Sequence, residues 1–144
     1  MPQAQIIELA DAIVAALNTH AFSQSFVAER GYLPTFDLPE MGTLKVTVVP
    51  KEDDGRLDTR SSSVHEYAVD IGIQQKPETT DNASLDPLMR LTQEIADFFL
   101  FGQRPGATTL ITPSVRILYL QEHLAKLGQF TSVLTLTFRG WREA

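Results

Sequence analysis

Residues 64–75, VHEYAVDIGIQQ, decide the fold class. His65, Tyr67, Val69, Ile71 and Ile73 alternate with Glu66, Ala68, Asp70, Gly72 and Gln74. Successive strand side chains point to opposite faces, so this stretch predicts a strand with one face on a core. The other face is left to solvent or a partner. A matching run lies at residues 130–138, where Phe130, Ser132, Leu134, Leu136 and Phe138 alternate with Thr131, Val133, Thr135 and Thr137. Arg139 and Trp141 continue the second face.

Outward from these runs, residues 43–49 alternate Leu44, Val46 and Val48 with Lys45 and Thr47, and Pro50 ends them. Residues 25–32 are a weaker strand carrying Phe26 and Val27, and residues 115–121 a further one behind Pro113. Residues 33–41 carry Pro34 and Pro39 and predict an extended connection. Two helices frame the strands. Ile6, Ile7, Ala10, Ile13, Val14 and Leu17 recur at spacings of three and four, with Pro2 suited to the first turn. Leu85, Leu88, Met89, Thr92, Ile95, Ala96 and Phe99 form a second stripe, widened by Leu91 and Phe98. Ser84 is its expected N-cap, Pro87 falls in its first turn, and Gly102 is its stop. A turn at Arg104-Pro105-Gly106 and a short connection over residues 122–128 follow. The predicted order is α-β-β-β-α-β-β. It gives an α+β fold, a mostly antiparallel sheet of about four to five strands with two main helices packed on it.

The chain has 144 residues, enough for a single α+β domain over residues 1–144 and little more. It carries 12 Lys+Arg against 18 Asp+Glu, a net charge of -6, which argues against nonspecific nucleic-acid binding. It has no cysteine, which excludes disulfides and thiolate chemistry. The apolar run at 95–101 is far shorter than the ~20 residues a bilayer span needs, and no export signal or membrane contact is expected. Residues 51–63, KEDDGRLDTRSSS, are dense in charge and small polar groups. They predict a mobile loop, either a hairpin tip or an arm that orders on binding, with only Leu57 to anchor it.

No catalytic pattern is complete in the sequence. His20, His65 and His123 have no metal-ligand spacing. The acidic run at Glu52, Asp53 and Asp54 lacks the closing Glu of a calcium loop, that position being Val64. Asp70 followed by Gln74-Gln75-Lys76 is reminiscent of Mg-dependent nucleases, but Gln74 stands where a carboxylate is needed. Glu66 and Asp70, the remaining pair for such an enzyme, lie roughly 13 Å apart at about 3.3 Å per strand residue. Ser61, Ser62 and Ser63 read as loop residues without a nearby base. No catalytic residue, metal or cofactor is therefore expected. A small ligand-binding or regulatory module, with a pocket at Phe98, Phe101 and Tyr119, is the other alternative.

The helix IIELADAIVAAL (6–17), the strand EYAVDIGIQQK (66–76), the helix at 85–99 and the segment GQFTSVLTLTFR (128–139) together form a recognisable layout. It resembles the small tail-terminator and head–tail connector proteins of long-tailed bacteriophages, often carried on prophages. The resemblance implies a non-enzymatic structural protein of the virion, made in the host bacterial cytoplasm. It implies assembly as a homo-oligomeric ring, commonly a hexamer, at the tail–head junction. The implied partners are the tail-tube protein and a head-completion protein, with DNA in the lumen held without specific recognition. Candidate interface residues under this reading are Asp53, Asp54, Arg56, Leu57 and Arg60 of the first arm. Arg104 belongs to a second arm over residues 102–113, Thr131, Val133 and Thr135 to the outward row, and Trp141 is a possible hot-spot anchor.

Overall fold

The computed structural model describes residues 4–32, 44–77, 79, 81–101, 109–119 and 130–143, and of residues 109–119 and 143 the backbone alone. Pro2, Pro34, Pro39, Gly102, Arg104 and the connection at 122–128 lie outside the described residues. The element order is α1 (Gln5–Thr19), β1 (Ala28–Arg30), β2 (Lys45–Leu57), β3 (Ser62–Gln75), α2 (Asn82–Phe101), β4 (Thr109–Tyr119) and β5 (Phe130–Glu143). The chain thus has an α+β fold with the expected order of helices and strands.

The five strands form one sheet in the order β1-β2-β3-β5-β4. β1 pairs with β2 in parallel, through Ala28 and Val46, and the other three pairings are antiparallel. β5 enters between β3 and β4, so the two strongest alternating runs of the sequence lie side by side. Val48, Ile71 and Leu134 fall in one cross-strand row, and Val46, Ile73 and Ser132 in the next. These side chains, with Tyr67, Val69, Leu136 and Phe138, are almost fully buried on one face. α1 covers that core with Leu9, Ala10, Ile13 and Leu17, and α2 with Leu88, Leu91, Thr92, Ile95, Ala96 and Phe99. The apolar stripes read from the sequence are the buried stripes, with Leu9 added and Met89 turned half out. No described helix is long and apolar enough to cross a membrane.

Polar contacts fix how the helices lie. The Asn18 amide donates to the Ala28 carbonyl at 3.1 Å and accepts from the Ala28 N–H at 2.7 Å, pinning β1 to the end of α1. Arg30 pairs with Asp11 at 2.7 Å along the same seam. At the other end of α1, the Tyr67 hydroxyl donates to Gln5 Oε1 at 2.7 Å. Desolvation by burial is the main force holding the Tyr67 pKa above its usual value; Asp53 adds to it and Arg142 opposes it.

Several boundaries differ from expectation. The weak strand at 25–32 is only Ala28–Arg30, and β4 begins at Thr109, so Pro113 lies inside it and the end of the expected arm at 102–113 is strand. The strand that should stop at Pro50 runs on to Leu57, and β3 begins at Ser62, so most of the expected loop at 51–63 is paired β-hairpin. β5 likewise continues past Phe138 to Glu143. α2 starts ahead of Ser84 because Asp81 is the capping group. Its Oδ1 accepts from the Ser84 N–H at 2.9 Å, and its carbonyl from the Leu85 N–H at 3.1 Å. Pro87 consequently lies past the first turn and has no N–H for the Ala83 carbonyl.

The bonds from Ser84 and Thr79 hold the Asp81 carboxyl below the usual carboxylate pKa. A lowered folded pKa adds stability above the unfolded pKa and loses it as pH falls through the folded one. Asp81→Ala should therefore lower the thermal midpoint at neutral pH. The gap to wild type should close as pH falls below the carboxylate range, which circular dichroism at several pH values will measure.

Candidate functional site

The end of the sheet beyond the helices carries the densest polar cluster among the described residues. A β-bulge between Pro50 and Glu52 creates it, because Lys51 has no partner on β3. An extra residue reverses which face each later side chain takes. Before the bulge Val46 and Val48 share the core face; after it Asp53, Gly55 and Leu57 do, opposite Tyr67, His65 and Ser63. β5 completes the row with Gly140 opposite His65 and Arg142 opposite Ser63.

His65 is the hub, only 8% exposed. Both of its cross-strand neighbours are glycine, Gly55 and Gly140. A methyl on Gly55 would lie 2.5 Å from the imidazole Cε1, so the ring occupies space that only glycine leaves. The ring stacks on Tyr67 with centroids 5.7 Å apart and planes at 10°. Its Nδ1 meets Asp53 Oδ1 at 2.6 Å and its Nε2 meets Ser63 Oγ at 2.8 Å. Arg142 closes the cluster. Its Nη2 donates to Asp53 Oδ2 at 3.0 Å, and its Nε reaches His65 Nε2 at 3.1 Å. The same Nη2 lies 2.7 Å from His65 Nδ1. A shallow cavity of about 330 Å³ opens here, lined by Leu57, Arg60, Ser61, Ser63, His65 and Arg142 among others.

The connectivity Ser63–His65–Asp53 is that of a serine-hydrolase relay. The sequence signal was Ser63-x-His65 on one strand face, with Asp53 across the hairpin. The polar composition of residues 51–63 hides it, because only the bulge brings Asp53 onto the face of His65. Ser63 has a base after all, two residues away. In the relay tautomer, with Nδ1–H donating to Asp53, Nε2 must accept the serine proton. Arg142 Nε already lies 3.1 Å from that nitrogen, so the serine hydroxyl and the guanidinium compete for its single lone pair. The geometry makes a polar clasp joining β2, β3 and β5.

The other candidates are placed apart. On the opposite face Glu66 accepts from Arg139 at 2.9 Å. Asp70 accepts from the Thr135 hydroxyl at 2.7 Å and lies 3.8 Å from the Lys51 ammonium. Glu66 and Asp70 thus serve different partners, and no group of three His, Asp or Glu side chains able to hold a metal occurs among the described residues. Thr131, expected in the outward row, is buried at 2% exposure, while Val133 and Thr135 are half-buried. Asp53 points into the clasp, whereas Asp54, Arg56, Leu57 and Arg60 are exposed along the hairpin, as is Trp141 on β5. Phe98 is half-buried and Phe101 exposed beside α1; the side chain of Tyr119 lies outside the described residues.

Gly55→Ala should destabilise the chain by about 1–3 kcal/mol in denaturant unfolding, the cost of overpacking against a fixed ring. Gly72→Ala is the control, since its added methyl meets nothing closer than 3.9 Å, and it should be near neutral. Ser63 should stay unlabelled by a fluorophosphonate probe in intact-mass analysis; an adduct would mean that Arg142 swings clear of the imidazole. No family model matches the chain, and no curated protein matches it.

Proposed function

We propose that the chain is a structural subunit that works by assembly, a tail-terminator or head–tail joining protein of a long-tailed phage or prophage. The observation that carries this reading is the three-stranded projection formed by the β2–β3 hairpin and the end of β5. β1 pairs with β2 only as far as Val48, and β4 with β5 only as far as Arg139. Past those points both outer edges lack a neighbouring strand among the described residues. The clasp around His65 holds the projection as a preformed element, so little ordering entropy is lost when it docks. Leu57 at its tip is 81% exposed and Trp141 on its flank 55%, the kind of apolar anchors that interfaces use.

In this role the subunits close into a ring, six-fold by family resemblance, between the tail-tube protein and a head-completion protein, with DNA passing through without base recognition. The charge of -6 suits a lumen that does not hold DNA back. No catalytic step or cofactor is called for.

Purified chain should form one closed oligomer, either alone at high concentration or on added tail tubes. Sedimentation velocity and negative-stain microscopy check this. A chain that stays monomeric and also fails to bind tubes would remove the proposal.

A further inference from the structure

A second cavity, of about 530 Å³, lies where α1 ends and α2 ends, lined by His20, Phe22, Glu94, Asp97, Phe98 and Phe101 among others. Its wall is aromatic. His20 packs on Phe22 and Phe98 at 4.6 and 4.5 Å between centroids, and Phe22 meets Phe98 edge-on at 5.3 Å. Its rim is acidic. Glu94 is held by the Ser23 N–H and hydroxyl at 3.1 and 2.7 Å, while Asp97 is exposed and has no ion pair among the described residues. Phe101 stands 81% exposed beside it. Aromatic faces next to carboxylates favour a cation carried on an apolar stem, and above all a guanidinium.

The hairpin tip offers the complementary chemistry. Leu57 and Arg60 line one cavity there, both exposed, and Arg60 has no ion pair among the described residues. The two features lie at opposite ends of the molecule. Gln5 at the start of α1 bonds Tyr67 near the hairpin, while Asn18 at its far end bonds Ala28, level with Val46. From Leu57 back to Lys45, β2 spans roughly 40 Å at about 3.3 Å per residue, so a tip cannot reach its own cavity.

We infer that Leu57 and Arg60 of one copy seat in the His20–Phe22–Phe98–Phe101 cavity of the next, with Arg60 paired to Asp97. Such a contact is head-to-tail. It joins different surfaces of successive copies, and it closes into a ring when the rotation per subunit allows. This inference rests on the assembly reading above and supplies its subunit contact.

The chain has no cysteine, so a Leu57→Cys/Phe101→Cys variant reports the contact directly. Mild oxidation should give a ladder of covalent multimers on non-reducing gels, while each single variant stops at dimers. Arg60→Glu and Asp97→Arg should each weaken assembly roughly tenfold or more, and the double charge swap should restore much of it. Wild-type rings together with no ladder and no effect of either charge reversal would overturn this contact and leave the assembly reading standing. Wild-type chain that neither self-associates nor binds tubes would overturn both.

Discussion

The register of β3 against its two neighbours is the constraint on which the rest depends. Side chains of β3 alternate between faces, and β2 and β5 must present the same alternation opposite them. Val48, Ile71 and Leu134 can then share a row, and both helices find one continuous apolar surface. A slip of one residue would turn Ile71 and Ile73 outward and bring Asp70 and Gly72 in. The row would then place a carboxylate in the apolar core, which burial forbids unless it finds a partner. In the two ladders of β3 the bulge at Lys51 is the one place where the alternation is broken, and it lies past the helical cover. There the reversal costs no apolar burial, and it is used to gather Asp53, His65, Ser63 and Arg142 on one side.

Much of the architecture could be read from the residues because it follows from periodicity. The stripes on α1 and α2, the alternation in β3 and β5, and the order of elements all come from local pattern, and all stand in the structure. What was hidden depends on pairing between distant segments. Residues 51–57 look like a loop because they are charged and apolar only at Leu57. They are a strand because β3 supplies hydrogen-bond partners along their length. The place of β5 between β3 and β4, and the parallel pairing of β1, are of the same kind. The cap shifted from Ser84 to Asp81 for a local reason. Both residues suit the position, and the aspartate gains a further bond from Thr79 that spacing alone does not reveal.

The polar site shows how misleading residue identity can be without its surroundings. Ser63, His65 and Asp53 have the contacts of a relay, and Arg142 is a fourth member that shares the same nitrogen and carboxylate. A guanidinium lying along the imidazole competes for its acceptor nitrogen and bridges to the Asp53 carboxylate. The group then binds three strands together at a point that the described helices do not cover. Glu66 with Arg139 and Asp70 with Thr135 do comparable work on the reverse side. The Glu66–Arg139 pair thus cross-links the reverse face at the base of the projection, and the Asp70–Thr135 bond does so within the body of the sheet.

Beyond Val48 the outer edge of β2 runs Val49, Pro50, Lys51, Glu52, Asp53, Asp54 without a strand beside it among the described residues. An unpaired edge will accept any extended peptide, including the same edge of another molecule. Here a proline removes one donor, a bulge twists the ladder, and clustered carboxylates repel a like segment laid alongside. Uncontrolled fibre growth through this edge is thereby suppressed. The edge is guarded against the strand-to-strand pairing that its length would otherwise invite.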